Sequence, residues 1–238
     1  MRQLLIGFAV CTLACAQGIE VPAIGAVADS SGALRQVQGV AGSFWLGPAS
    51  VSGVLSAACS ERLCLAKTDS KILSATGQTD APAGPAIFAF QGAFQGALHG
   101  DDAIVFFPEP HLFANWHDDG LEPLDWVIDG EVLSVGPKEI AVRRDGEVWI
   151  VHSDGSTVDN IPEASGPVLL LPNGVVFATQ NEIVLRQDDN EVRFELADAI
   201  TITAMGPHYA AIHAGGLIYA LRIEPGRESL YLLPGTTP

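Results

Sequence analysis

The chain has 238 residues, 48% of them apolar, with 12 Lys and Arg against 28 Asp and Glu, a formal charge of −16. That length suits one compact domain, and the apolar fraction can supply its core. The acidic balance disfavours nucleic acid and anionic lipid surfaces as partners, because both would repel the chain.

At the start, Arg2 is the only charge before an apolar run from Leu4 to Ala14, which ends in the small residues Ala14-Cys15-Ala16. A charged start, a short apolar stretch and an A-x-A-like site predict a secretory signal peptide over residues 1–16. Eleven residues at about 1.5 Å each cover about half of a ~30 Å hydrocarbon core, so no membrane span is expected there. No later segment is apolar enough to span either. Thr12-Leu13-Ala14-Cys15 gives the alternative of a lipid anchor at Cys15, since it resembles the lipobox of bacterial lipoproteins with Thr12 where leucine is usual. Residues 17–32, with Pro22, three glycines and Ser30-Ser31, predict a tether, leaving 33–238 as the folded domain.

Short strands follow. Ala33 to Val37 is the first; Ser43 to Leu46, reaching Gly47-Pro48, then opens a four-stranded unit with Val54 to Ala58, Leu65 to Thr68 and Lys71 to Ala75. Cys59 and Cys64 bracket the turn between the third and fourth of these. Opposed residues of such a hairpin sit about 4.5–5.5 Å apart, so the two are expected to form a disulfide in an exported chain. Ala86 to Phe90, Ala103 to Phe107, His111 to Trp116 and Leu121 to Trp126 come next, interrupted by a glycine-rich insertion from Gln91 to Gly100.

The clearest unit runs from Glu131 to Pro162. Val132 to Val135 reaches Gly136-Pro137, Glu139 to Arg143 reaches Asp145-Gly146, Glu147 to His152 reaches Asp154-Gly155, and Ser156 to Ile161 closes it. The pattern recurs over 168–196 and again over 200–233, where Gly206-Pro207 falls where Gly136-Pro137 fell. Turns of two or three residues rich in Gly, Asp and Asn make these strands antiparallel. Within each unit the first strand is a solid apolar run and the fourth alternates, which predicts an inner strand covered on both faces and an outer strand wet on one.

Self-similar four-stranded sheets that cannot bury their faces alone describe an all-β fold, a single β-propeller. The repeats resemble those of exported bacterial propellers of the WD40-like and quinoprotein-like superfamily. The Gly-His and Trp-Asp signatures of the one and the tryptophan docking pattern of the other are missing, so the resemblance is one of pattern and implies only the fold. Five first strands predict five blades, with Ala33 to Val37 as an N-terminal strand closing the ring on the last blade. Six blades with one incomplete, or an open β-sandwich, are the alternatives.

Motifs for nucleophilic, phosphate, zinc or haem chemistry are absent, and neither metal nor cofactor is expected. In a propeller the second-to-third turns and the blade junctions share one face around the central channel. That face is predicted to receive His111, Arg143, Arg144 and His213 from the turns, and Asp129 and Asp198 from the junctions. Such a ring can bind a small anionic or sugar-like ligand or poise an acid–base pair. Trp45 and Trp149 are expected in the core between blades. The reading is an exported, periplasmic or extracellular, monomeric and non-enzymatic propeller that binds a protein or glycan partner. The alternative is a hydrolase or lyase with its polar site at the channel mouth.

Overall fold

A computed structural model describes residues 22–90, 102–117 and 120–235. The expected signal peptide, the anchor alternative at Cys15 and the glycine-rich insertion lie outside the described residues. Every element described is a strand, and none is a helix long and apolar enough to cross a membrane.

The described residues form six antiparallel sheets. Blade 1 holds three strands, β1 (Ala23–Ala28), β2 (Leu34–Val40) and β3 (Ser43–Val51). Blade 2 holds β4 (Ser56–Cys59), β5 (Cys64–Lys67), β6 (Lys71–Leu73) and β7 (Gln78–Asp80). Blade 3 holds β8 (Ile87–Phe90), β9 (Ala103–Phe107), β10 (Leu112–His117) and β11 (Gly120–Leu124). Blade 4 is β12 (Glu131–Val135), β13 (Glu139–Arg144), β14 (Glu147–His152) and β15 (Thr157–Ile161). Blade 5 is β16 (Val168–Leu171), β17 (Gly174–Ala178), β18 (Glu182–Gln187) and β19 (Asn190–Glu195). Blade 6 is β20 (Ala199–Gly206), β21 (Tyr209–Ala214), β22 (Leu217–Arg222) and β23 (Ser229–Leu232).

The core is divided, and its division shows the ring. Among the described residues there are six apolar clusters, and each lies at one joint between neighbouring blades. Phe88, Val105 and Phe107 pack against Leu65 and Ile72 at the joint of blades 2 and 3. The series closes where Val27 and Val37 of blade 1 meet Met205 and Ile218 of blade 6. Successive residues on a first strand feed opposite joints, as β-strand geometry requires: Leu170 faces blade 4 and Leu169 faces blade 6. An unbroken apolar run is therefore a strand buried on two faces, and the outer strand β19 alternates exposed and half-buried residues. The joint between blades 1 and 2 is the thinnest, built on Val54, Ala57 and Ala66.

The five-blade expectation is corrected to its six-bladed alternative, the incomplete sheet having three strands. Ala33 to Val37 does not close the last blade, because β2 pairs with β1 and β3. Six of the residues expected as tether form β1. Its hairpin is held by Asp29, whose carboxylate accepts from the backbone N–H groups of Ser31 and Ala33 at 2.9 and 3.0 Å and from Arg35 Nε at 2.6 Å. Ser43 to Leu46 does not begin the blade that contains the cysteines. It is the outer strand of blade 1, and Gly47-Pro48 lies inside it. Trp45, expected between blades, is 54% exposed on that strand, with its Nε1 donating to Gln38 Oε1.

Glycine decides how blade 1 is seated. A Cβ on Gly25 would lie 1.3 Å from the Met205 carbonyl oxygen, and one on Gly206 would lie 2.1 Å from that of Ile24. Only two bare backbones can pass so closely, so β1 lies directly against β20. It also touches β4, and β4 in turn touches β20.

Two serines tie first strands across joints. Ser134 on β12 is buried, and its Oγ accepts from the Leu170 N–H of β16 at 3.0 Å. Ser56 on β4 accepts from the Ala86 N–H at 3.0 Å and donates to the Ala86 carbonyl at 2.7 Å. Cys59 and Cys64 are paired across the β4–β5 turn, 4.0 Å apart at Cα, and form a disulfide.

Candidate functional site

The two faces of the ring differ. The face that carries the second-to-third turns and the blade junctions holds the six residues picked from the sequence. Three of them are tied to backbone. His111, at a backbone φ of 52°, donates from Nε2 to the Ile128 carbonyl at 2.9 Å and packs edge-on to Phe106. Arg144 donates to the carbonyl of Asp129 at 2.9 Å. Arg143 donates to the Gly166 carbonyl and to Glu131, both at 3.0 Å.

Those carbonyls belong to the connections leading from blade 3 to blade 4 and from blade 4 to blade 5. A cation or imidazole beside a turn thus clasps an adjoining junction, the following one for His111 and Arg143 and the preceding one for Arg144, satisfying carbonyls that the sheets leave over. Asp198 sits at the junction before β20 with a φ of 58°. His213, paired in register with Thr201 and Ile218, is half-buried, and that burial pushes its pKa below the usual imidazole value. Desolvation favours the neutral ring. None of the four clefts described for the molecule is lined by any of these six residues.

On the opposite face the first strands run out into their first turns, and there a funnel of about 560 Å³ opens on the axis. Its wall is apolar: Phe88 and Phe90 of blade 3, Val135 and Pro137 of blade 4, Leu169 to Pro172 of blade 5, and Ala204 and Pro207 of blade 6. Blade 2 contributes Cys59, Ser60 and Glu61. Blade 1 contributes nothing to the lining, since β4 and β20 meet inside it. The Gly-Pro pairs that end two first strands therefore become part of a stiff apolar rim.

The polar groups at the funnel are Ser60, Glu61, Asn173, Gln187, His208, Tyr209 and Glu224. Glu224 is held by Arg222 Nε at 3.1 Å and by Arg227 at 3.3 Å, and Arg222 keeps its carboxyl below the usual range. It is a paired carboxylate and not a proton donor at neutral pH. Gln187, at the end of β18, is 7% exposed. Its Nε2 reaches Asn173 Oδ1 at 3.5 Å, and its Oε1 has no hydrogen-bond partner.

A second cleft of about 890 Å³ runs between blade 1 and blades 2 and 6. It shares Ser60, Glu61, Pro207, His208 and Tyr209 with the funnel, so the two are continuous. Polar turns stand out in a sequence, and they mark the other face. The signal for the funnel was present in the apolar ends of the first strands and their Gly-Pro stops.

Neither a family model nor a curated protein matches the chain. Among solved structures it is similar to PorZ, an essential surface component of the type-IX secretion system of Porphyromonas gingivalis. The two are 13% identical, with a TM-score of 0.45, over 90% of this chain and 39% of that one. It is similar to AztD of Citrobacter koseri at 12% identity and a TM-score of 0.43, over 89% of this chain and 70% of that one. Hsv2 of Kluyveromyces lactis gives 12% identity and 0.45, over 75% of this chain and 63% of that one. The chain thus spans well under half the length of PorZ. At such identities and scores the likenesses carry no argument about activity, and the propeller assignment rests on the six sheets and their six joints.

Proposed function

We propose that this chain is an exported, non-enzymatic propeller whose partner is a protein that seats an apolar side chain in the axial funnel. One observation carries the reading: an apolar pocket of ligand-binding size opens on the axis and continues into an outer cleft. A pocket of this kind takes an anchoring side chain, and the adjoining cleft takes the chain on either side of it. The Cys59–Cys64 disulfide supports an oxidising compartment, in keeping with the expected signal peptide. A glycan fits less well, because polyols need many hydrogen-bonding groups and this wall is mostly apolar. The hydrolase or lyase reading needs an acid and a base converging on one point. At the funnel the carboxylate of Glu224 is already paired to two arginines.

Leu171→Glu places a charge on the funnel wall, and Val158→Glu places one on the exposed outer strand of blade 4. A protein captured from an envelope extract by the wild-type chain, lost with the first variant and retained with the second, is the expected result. Equal capture by both variants, or retention on glycan arrays that Leu171→Glu leaves intact, would overturn the proposal.

A further inference from the structure

The funnel wall is mostly apolar, and one of its polar groups is left without a partner by the fold itself. Gln187 is nine-tenths buried, lines the funnel and leaves its amide oxygen without a partner. Buried polar groups are almost always satisfied, and an orphan acceptor costs the fold its full desolvation. The amide is tied only by the long 3.5 Å contact to Asn173. The oxygen is itself shielded, so a ligand reaches it only when the amide turns about χ3, a soft torsion, and gives up the long contact to Asn173.

An aliphatic ligand would leave that oxygen unpaired. A sugar would bury hydroxyls against a wall that is mostly apolar. An anion would meet a chain of charge −16. What remains is a group with a large apolar body and one hydrogen-bond donor. Tryptophan and tyrosine side chains have that form, and they are the usual anchors of protein interfaces for the same reason.

We infer that the funnel recognises a tryptophan or tyrosine of a partner segment. The ring would lie between Phe90, Leu171 and the proline rim, and its N–H or O–H would be accepted by Gln187 Oε1. This inference rests on the funnel being the partner seat, and it assigns that seat its specificity. The source is a protein segment and not a free small molecule, because the lumen of about 560 Å³ continues into the cleft of about 890 Å³ that would hold the flanking residues.

The test is calorimetric titration of the chain with Ac-Ala-Trp-Ala-amide, Ac-Ala-Phe-Ala-amide and free indole. One added hydrogen bond predicts that the Trp peptide binds about fivefold tighter than the Phe peptide. Gln187→Met keeps the volume and removes the acceptor. It should bring the Trp-to-Phe ratio to about one and not lower the melting temperature. Equal binding of the two peptides by the wild type, or a ratio that survives Gln187→Met, overturns the donor recognition while leaving an apolar seat in place. Indole binding as tightly as the Trp peptide overturns the assignment to a protein segment. No peptide binding at all, combined with partner capture that Leu171→Glu does not affect, overturns the seat itself.

Discussion

Ser134→Ala tests how the funnel wall is held. The Ser134 hydroxyl is the acceptor for the Leu170 N–H at 3.0 Å, and both residues are buried on first strands of adjacent blades. Leu170 and its neighbours form the blade 5 wall of the funnel, and Val135 forms the blade 4 wall. Removing the hydroxyl leaves a backbone donor in a site closed to water, which costs about 1–3 kcal/mol. For a domain of this size each kcal/mol moves the melting temperature by about 2–4 °C. A fall of about 4–8 °C is therefore expected for a loss near 2 kcal/mol. Urea unfolding should show a lower midpoint with an unchanged slope, because the surface exposed on unfolding is the same. Ser56→Ala opens a different joint, and the double variant should lose the sum of the two within about 0.5 kcal/mol. A loss below about 0.5 kcal/mol for Ser134→Ala would refute the reasoning, because the Leu170 N–H would then have another acceptor.

Replacing Cys59 and Cys64 together with alanine should lower stability by about 2 kcal/mol, the loop-closure value for a bond spanning a sequence separation of 5. Unfolding with and without reductant checks it, and reductant should move only the wild type. Asp29→Ala removes a carboxylate that binds two backbone N–H groups and Arg35, and should cost about 1.5–3 kcal/mol. Asp29 is also held below the usual carboxyl range: burial pushes it up, and Arg35, Ser31 and Ala33 outweigh that. Its contribution is present above the unfolded pKa and is lost as pH falls through the folded one, so wild type and variant should converge in acid. For His213 the folded pKa lies below the unfolded value of about 6.5. The unfolded chain therefore takes up a proton first, and stability is lost as pH falls from about 6.5 toward the folded pKa. His213→Gln should remove that part of the acid slope, and an unchanged slope would show that the ring is not desolvated.

The strand pattern from residue 86 to 233 could be read from the sequence because each first strand feeds two joints and so appears as an uninterrupted apolar run. The region before it could not. β1, Ala23–Ala28, carries a glycine and lies in a stretch rich in turn residues, so its composition reads as a tether. β7, Gln78–Asp80, is three polar residues on the outside of blade 2 and has no burial to mark it. With those two strands unseen, the outer strand of blade 1 was needed to complete the next blade, and the frame moved by one strand. The closing contact is legible only in three dimensions, because Gly25 and Gly206 are 181 residues apart and act by lacking a Cβ. What composition did not convey is that His111, Arg143 and Arg144 would be engaged by backbone carbonyls.

The seating of blade 1 links these observations to binding. Five four-stranded blades supply the funnel wall, and the three-stranded blade is wedged at the joint where β4 and β20 meet. That joint rests on small residues, Ala57 and Ala66, on one side and on the glycine contact on the other. Small side chains give little apolar area, so this is the joint where the ring opens most easily, and the outer cleft lies along it. A partner segment lying in that cleft would bury surface at the weakest joint while its anchor fills the axis. Occupancy should therefore slow hydrogen exchange in β1 and β4 more than in β13 and β17, which are already covered on both faces. If the protection were spread evenly over all six blades, the anchor and the cleft would not be acting as one site.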